Sequence, residues 1–338
     1  MDLRKYLCLG ALAAGLAAAP AAADTITLKL SHFVPTTIGL STEFMIPWTE
    51  RITRCTGGAV AFEVHPAGSA LGHIDKQYDQ ARAGVVDVAF GHIAFPRGRF
   101  PRSSIIELPF MAQSANAGSF ALYGVAEEYL RPEYQGVKIL GMMTHNPGGI
   151  HTNRRITDLA EMKGLRIRTQ NAATSAILSH FGADPVNLPP GEQYEALQKG
   201  TLDGSATDWT NLREYKLHEV IRHHLEAPVF VGGFFFVMNQ KSYDNLPEAA
   251  RACIDQNAGA ALVATFGPLW ASWQADSRAI AMQRDPDAIL TATPDQIAAW
   301  RDALEPVAQA LLAEVKARGV ENADEIRAAM QALAAAHP

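Results

Sequence analysis

The stretch from Asp158 to Trp209 constrains the fold of this chain most. It reads as strand, helix, strand: Gly164-Leu-Arg-Ile-Arg168 ends its strand on an arginine, and Leu202-Asp-Gly-Ser-Ala-Thr207-Asp208-Trp209 ends the next on a polar and aromatic cluster. A strand that returns through a helix to a neighbour in its sheet runs parallel to it, so both strands finish on one edge. Arg168, Asn171, Thr207 and Trp209, with Asp208 between the last two, then face one crevice, where open α/β sheets hold their ligands.

The same alternation runs through most of the chain. Thr25 to Leu30 alternates like a strand, Glu43 to Arg54 reads as a helix stopped by Thr56-Gly57-Gly58, and Ala59 to Val64 is the next strand. Asp75 to Ala83 follows as a helix, then Val85 to Phe90 as a buried strand with Gly91 and His92 just past its end. This is a βαβαβ start, which implies a mostly parallel sheet covered on both faces. Asn146-Pro147 and Gly148-Gly149 mark a break, after which the strand-helix pattern restarts. A helix is expected over Leu217 to His224 and a strand over Pro228 to Met238. Long helical patterns fill Glu248 to Arg278, Pro294 to Arg318 and Ala323 to Ala335.

Residues 1–23 have the form of an export signal: Arg4-Lys5, a 14-residue apolar run from Tyr6 to Ala19, and Ala21-Ala22-Ala23 as a cleavage site after Ala23. The run is shorter than the roughly 20 residues of a membrane-spanning helix, so a soluble, periplasmic protein is expected. Of 29 basic and 35 acidic residues, the signal takes Arg4, Lys5 and Asp2, leaving a net charge of −7 and no nucleic-acid footprint. Cys55 and Cys253 then remain, at a spacing that fits no zinc pattern. Two separate thiols are the expected state; an oxidising compartment permits a bridge as the alternative.

Several patches in shared order carry a family resemblance: Val64-His-Pro-Ala-Gly-Ser-Ala-Leu-Gly72, Gly84-Val-Val-Asp87, Glu107-Leu-Pro-Phe110, Lys163-Gly-Leu-Arg-Ile-Arg168, Gly182-Ala-Asp-Pro185, Glu192 to Gly200, Leu202-Asp-Gly204, Lys216 to Val220, and Asn239 with Leu246-Pro-Glu248. Over nearly the whole mature sequence the chain resembles the solute-binding proteins of tripartite ATP-independent periplasmic (TRAP) transporters, of the DctP type. The resemblance implies an α/β, two-lobe periplasmic-binding-protein fold, type II-like, with crossing hinge strands near Leu140–Asn146 and Phe230–Met238. A long lobe-spanning helix would start near Glu248. Lobe I would hold 24–145 and about 234–273, and lobe II 146–233 and about 274–338. The partners implied are a small organic acid held between the lobes and the membrane permease subunits that receive it; no cofactor and no metal are expected.

The resemblance makes Arg168 the carboxylate clamp, and guanidinium chemistry agrees, because its planar donor fork pairs a carboxylate bidentately. His92 and Thr207 take positions where some relatives carry a carboxylate and an asparagine. Gly148 stands where sialic-acid-binding relatives place a second arginine. One firm cation remains, so the expected ligand is a monocarboxylate with a hydrophobic or aromatic body; a 2-oxo or hydroxy acid or a dicarboxylate is the alternative. Phe33, Phe90, Gly91 and Trp209 are expected beside that body, with Trp209 the foremost ring, and Gly148 is expected to make room for it. Phe234 to Phe236 read first as core, and among the loop histidines 32, 73, 92, 145 and 151, His92 is the one singled out for the site.

An enzyme is not expected. His218-Glu219 begins like a zinc-protease helix, but His223 would point about 140° around the helix from His218, and no nucleophile elbow, dinucleotide fingerprint or phosphate loop occurs. A hydrolase built from distant residues and a sensory ligand-binding protein are the readings from other classes.

Overall fold

A computed structural model describes residues 25–338; the expected signal and its cleavage after Ala23 lie outside the described residues. The first unit runs β1 (Ile26–His32), α1 (Ile46–Cys55), β2 (Val60–His65), α2 (Gln77–Ala83), β3 (Val88–His92), α3 (Ala115–Gly124), β4 (Val137–Thr144). Gly84 stops α2 with a φ of 74°, a left-handed conformation that costs a residue with a Cβ far more. The next unit runs β5 (Gly149–Thr152), β6 (Arg166–Thr169), α4 (Ala172–His180), β7 (Asp184–Asn187), α5 (Gln193–Gln198), β8 (Gly204–Thr207), α6 (Trp209–Glu214), β9 (His223–Glu226). The chain then returns as β10 (Gly233–Asn239), α7 (Gln240–Asp244), α8 (Glu248–Gln256), α9 (Gly259–Arg284), β11 (Ile289–Thr291), α10 (Pro294–Ala317) and α11 (Ala323–Ala336).

Two sheets result, ordered β2-β1-β3-β10-β4 and β11-β9-β5-β8-β6-β7. Both are mixed, because the strands next to the connections between them run antiparallel: β10 against β3 and β4, β5 against β8 and β9. The connections cross side by side, with His145 N–H donating to Gly232 O and Gly148 N–H to Phe230 O. On β10 the side chains alternate: Phe235 and Val237 enter one core, Phe234, Phe236 and Met238 the other. The first sheet is thus buried on both faces at β3 and β10, whose polar residues are only the terminal His92 and Asn239.

Several expectations are corrected. The long helix begins at Gly259, not near Glu248, because Asn257 and Ala258 leave helical geometry and Gly259 turns with φ 68°. Leu217 to His224 is a single 3₁₀ turn followed by β9 rather than a helix. Val88–His92 extends the third strand through Gly91 and His92. Leu312, Val315, Ile326, Met330 and Ala334, expected with the second lobe, pack in the core of the first, since α11 lies along α3. Cys55 and Cys253 are bridged, their Cα atoms 5.9 Å apart at the end of α1 and within α8.

Candidate ligand-binding site

β6 and β8 are parallel neighbours with Arg168 beside Ser205, so the shared edge expected for Arg168 and Thr207 is present. Arg166, two residues earlier on β6, is exposed and spends its donors on Asp203. Arg168 is wholly buried. Its Nε donates to Leu188 O at 3.0 Å, while buried Nη1 and Nη2 have no partner among the described residues. Burial lowers its pKa to about 10, against the upward pull of Tyr215 and Asp208, so it stays cationic at neutral pH. A buried cation with an empty fork is costly until an anion completes it.

His92, at the end of β3, faces the same region. Ala94 N–H donates to its Nδ1 at 3.1 Å, which assigns the ring proton to Nε2. Burial, then His145 and Arg168, hold its pKa well below 6.5. The ring is therefore neutral, and its buried, unpartnered Nε2–H is a donor. His145 Nδ1 lies 2.5 Å from Asn146 O, and because a carbonyl only accepts, His145 Nε2 is left to accept from Gln170 Nε2 at 2.7 Å. These groups converge on Gly232, where a Cβ would stand 2.6 Å from Gln170 Nε2, 2.8 Å from His145 Nε2 and 3.0 Å from His92 Nε2. Glycine is what lets the crossing strand pass so close.

Next to these polar groups lies a small cavity of about 30 Å³, walled by Phe33, Ile38, Leu40, Phe234 and Trp270, with His92, His145 and Gln170 also in its lining. Phe33 and Phe234 have ring centroids 6.5 Å apart, and Trp270 stands 5.6 Å from Phe234. Thr210, Asn211, Glu214 and Tyr215 of α6 close the lining from the second lobe. Gly39 N–H crosses to Glu214 Oε1 at 2.8 Å, and α9 holds both lobes through adjacent turns: Trp270 Nε1 donates to Asp208 Oδ2, Trp273 Nε1 to Glu43 Oε2.

The remaining expected residues fall in different places. Phe90 lies one layer back, 6.1 Å from Phe33 and 5.5 Å from Phe234. Gly91 is core, since a Cβ there would stand 2.1 Å from the Phe235 ring. Thr207 is buried with its Oγ1 unpartnered. Asn171 caps α4 through its Oδ1 and lines a wider groove shared with Glu107 and Arg318. Asp208 is occupied in holding Trp270, Asn211 and the start of α6. Two expectations are corrected. Trp209 packs in the second lobe with Leu197, Leu202 and Leu212 and bonds Glu226; the tryptophan on the cavity is Trp270. Gly148 makes room for Phe230, whose ring lies 2.3 Å from where its Cβ would be, and not for a ligand. Phe234, read as core, lines the cavity.

Among the described residues no group of three His, Cys, Asp or Glu is arranged to hold a metal ion, and no helix is long and apolar enough to cross a membrane.

Residues 30–314 match the DctP family, described as bacterial extracellular solute-binding protein, family 7. A curated solute-binding protein of Albidiferax ferrireducens is 26% identical over 238 residues, 68% of this chain and 70% of that one. A TRAP solute-binding protein of Rhodoferax ferrireducens, solved with copurified benzoate, is 30% identical with a TM-score of 0.87, covering 93% of this chain and 98% of that one. A marine-metagenome TRAP solute-binding protein specific for aromatic acids, solved with 3-hydroxybenzoate, is 29% identical, also at 0.87, covering 93% and 99%.

Proposed function

This chain belongs to the bacterial extracellular solute-binding protein family 7, a transport family and not an enzyme family, and from that premise we propose that it captures an aromatic monocarboxylate in the periplasm for uptake by a TRAP permease. The observation that carries the ligand class is the buried Arg168, with two unpartnered Nη groups, whose charge acts on His92 and His145, both of which line the cavity walled by Phe33, Phe234 and Trp270. A carboxylate completes the fork in a bidentate pair, and a flat ring buries its faces against the aromatic walls. Solved relatives at 29–30% identity hold benzoate and 3-hydroxybenzoate, which is the same chemistry.

Arg168 belongs to the second lobe and His92 to the first, so a carboxylate that takes donors from both is bound well only when the lobes are together. That differential affinity is what a ligand needs to drive closure. The lobe boundaries follow the sheets, with the connections at 145–148 and 227–232 as the hinge. Binding without turnover is the reading that the transport family supports.

The test is thermal denaturation with a panel of organic acids, since a ligand of the native state stabilises by RT ln(1 + [L]/Kd). Benzoate-type acids should raise the melting temperature. If C4-dicarboxylates or sugar acids stabilise and benzoates do not, the ligand class is wrong.

A further inference from the structure

The cavity is polar at two places of opposite character. At one, His92 presents its unpartnered Nε2–H, near the unpartnered Nη groups of Arg168, whose charge acts on His92. At the other stands Glu214, a carboxylate whose side chain is 5% exposed and whose Oε1 takes the Gly39 N–H. Its Oε2 accepts no hydrogen bond among the described residues, and it lines the cavity. One helical turn earlier on α6, Thr210 lines the same wall with a buried Oγ1 that has no partner; residues four apart share a helix face. Phe33, Phe234 and Trp270 line the same cavity.

Resting on the aromatic-acid reading above, we propose that Glu214 and Thr210 form a specificity subsite for a ring hydroxyl, so that the solute is a hydroxylated aromatic monocarboxylate. The hydroxyl donates to Glu214 Oε2 and accepts from Thr210 Oγ1–H, as a phenol can do both at once. An unsubstituted ring leaves the threonine hydroxyl buried and unpaired, an arrangement that strongly disfavours the analogue lacking the group. Burial raises the Glu214 pKa to about 7, and a donor delivered by the ligand relieves that desolvation.

Titration calorimetry with benzoate, 3- and 4-hydroxybenzoate and their methoxy counterparts tests this. One hydroxybenzoate should bind at least about tenfold tighter than benzoate, the worth of one hydrogen bond to a charged group, and its methoxy counterpart, which cannot donate, should lose that advantage. In Glu214→Gln the ratio of benzoate to hydroxybenzoate Kd should fall towards one, whatever the change in either value; Thr210→Val gives a second reading should the first variant fold poorly. Equal wild-type affinities for benzoate and both hydroxybenzoates, or a ratio unchanged in both variants, overturn the subsite and leave the aromatic-acid reading standing. Failure of every aromatic acid to bind overturns both.

Discussion

Replacing Arg168 by methionine should weaken ligand binding while making the empty protein more stable. Burial takes the guanidinium pKa from 12.5 to about 10, a difference worth about 3 kcal/mol; it is the free energy by which the unliganded site disfavours its own cation. Methionine fills a similar volume without charge, and the loss of the Nε bond to Leu188 O costs about 1 kcal/mol. The net gain is about 2 kcal/mol, or roughly 3 °C in the melting temperature of a chain this size. Benzoate affinity should fall by about 2–5 kcal/mol, as when one partner of a buried charge pair is removed. Differential scanning calorimetry without ligand and titration calorimetry with it read the two effects separately. A variant that melts lower than the native protein and binds the acid as well would refute the assignment of Arg168 as an unpaired cation awaiting a carboxylate.

The buried Glu107 carboxyl, whose pKa burial raises to about 8, holds its proton in the folded protein and loses it on unfolding between about pH 4.5 and 8. Folding stability should therefore fall by a few kcal/mol as pH rises through that window, and Glu107→Gln should flatten the slope and stabilise at pH 8; an unchanged slope in urea titrations counts against it. The Cys55–Cys253 bridge closes a loop spanning 198 positions, so the double serine variant should lose roughly 4–5 kcal/mol in denaturant unfolding. A loss under about 1 kcal/mol would mean that the bridge constrains little. Trp270→Phe should abolish the change in tryptophan fluorescence on ligand binding and Trp209→Phe should retain it, and the reverse result would return Trp209 to the cavity.

The fold was legible where burial and turn chemistry act locally. Apolar strands, the glycine stops and the restart after Asn146-Pro147 all reappear, and Arg168 stood out as a candidate because its strand ends where α/β sheets present ligand groups. What was not legible depends on tertiary partners. Ile326, Met330 and Ala334 repeat every four residues and announce a helix, but nothing in that period says that the stripe is completed by α3 of the first lobe. Cys55 and Cys253 carry no local sign of proximity either, because α1 and α8 meet only in the folded protein.

Trp209 shows how a correct segment can give a wrong side chain. Asp208 caps α6, so the residues after it follow a 100° rotation, and two faces separate. Trp209 and Leu212 turn into the core of the second lobe, whereas Thr210, Asn211, Glu214 and Tyr215 turn to the cavity. The same reasoning applied to β10 puts Phe234 on the cavity and Phe235 away from it. Gly148 completes the point. The expectation of a single carboxylate rests on Gly148 standing in place of a second arginine, and the space at Gly148 belongs to Phe230; an arginine there would have to displace that ring and would meet Thr207 O at 3.0 Å from its Cβ. The preference for an apolar body therefore comes from Phe33, Phe234 and Trp270, three rings brought together from a loop, a return strand and the long helix.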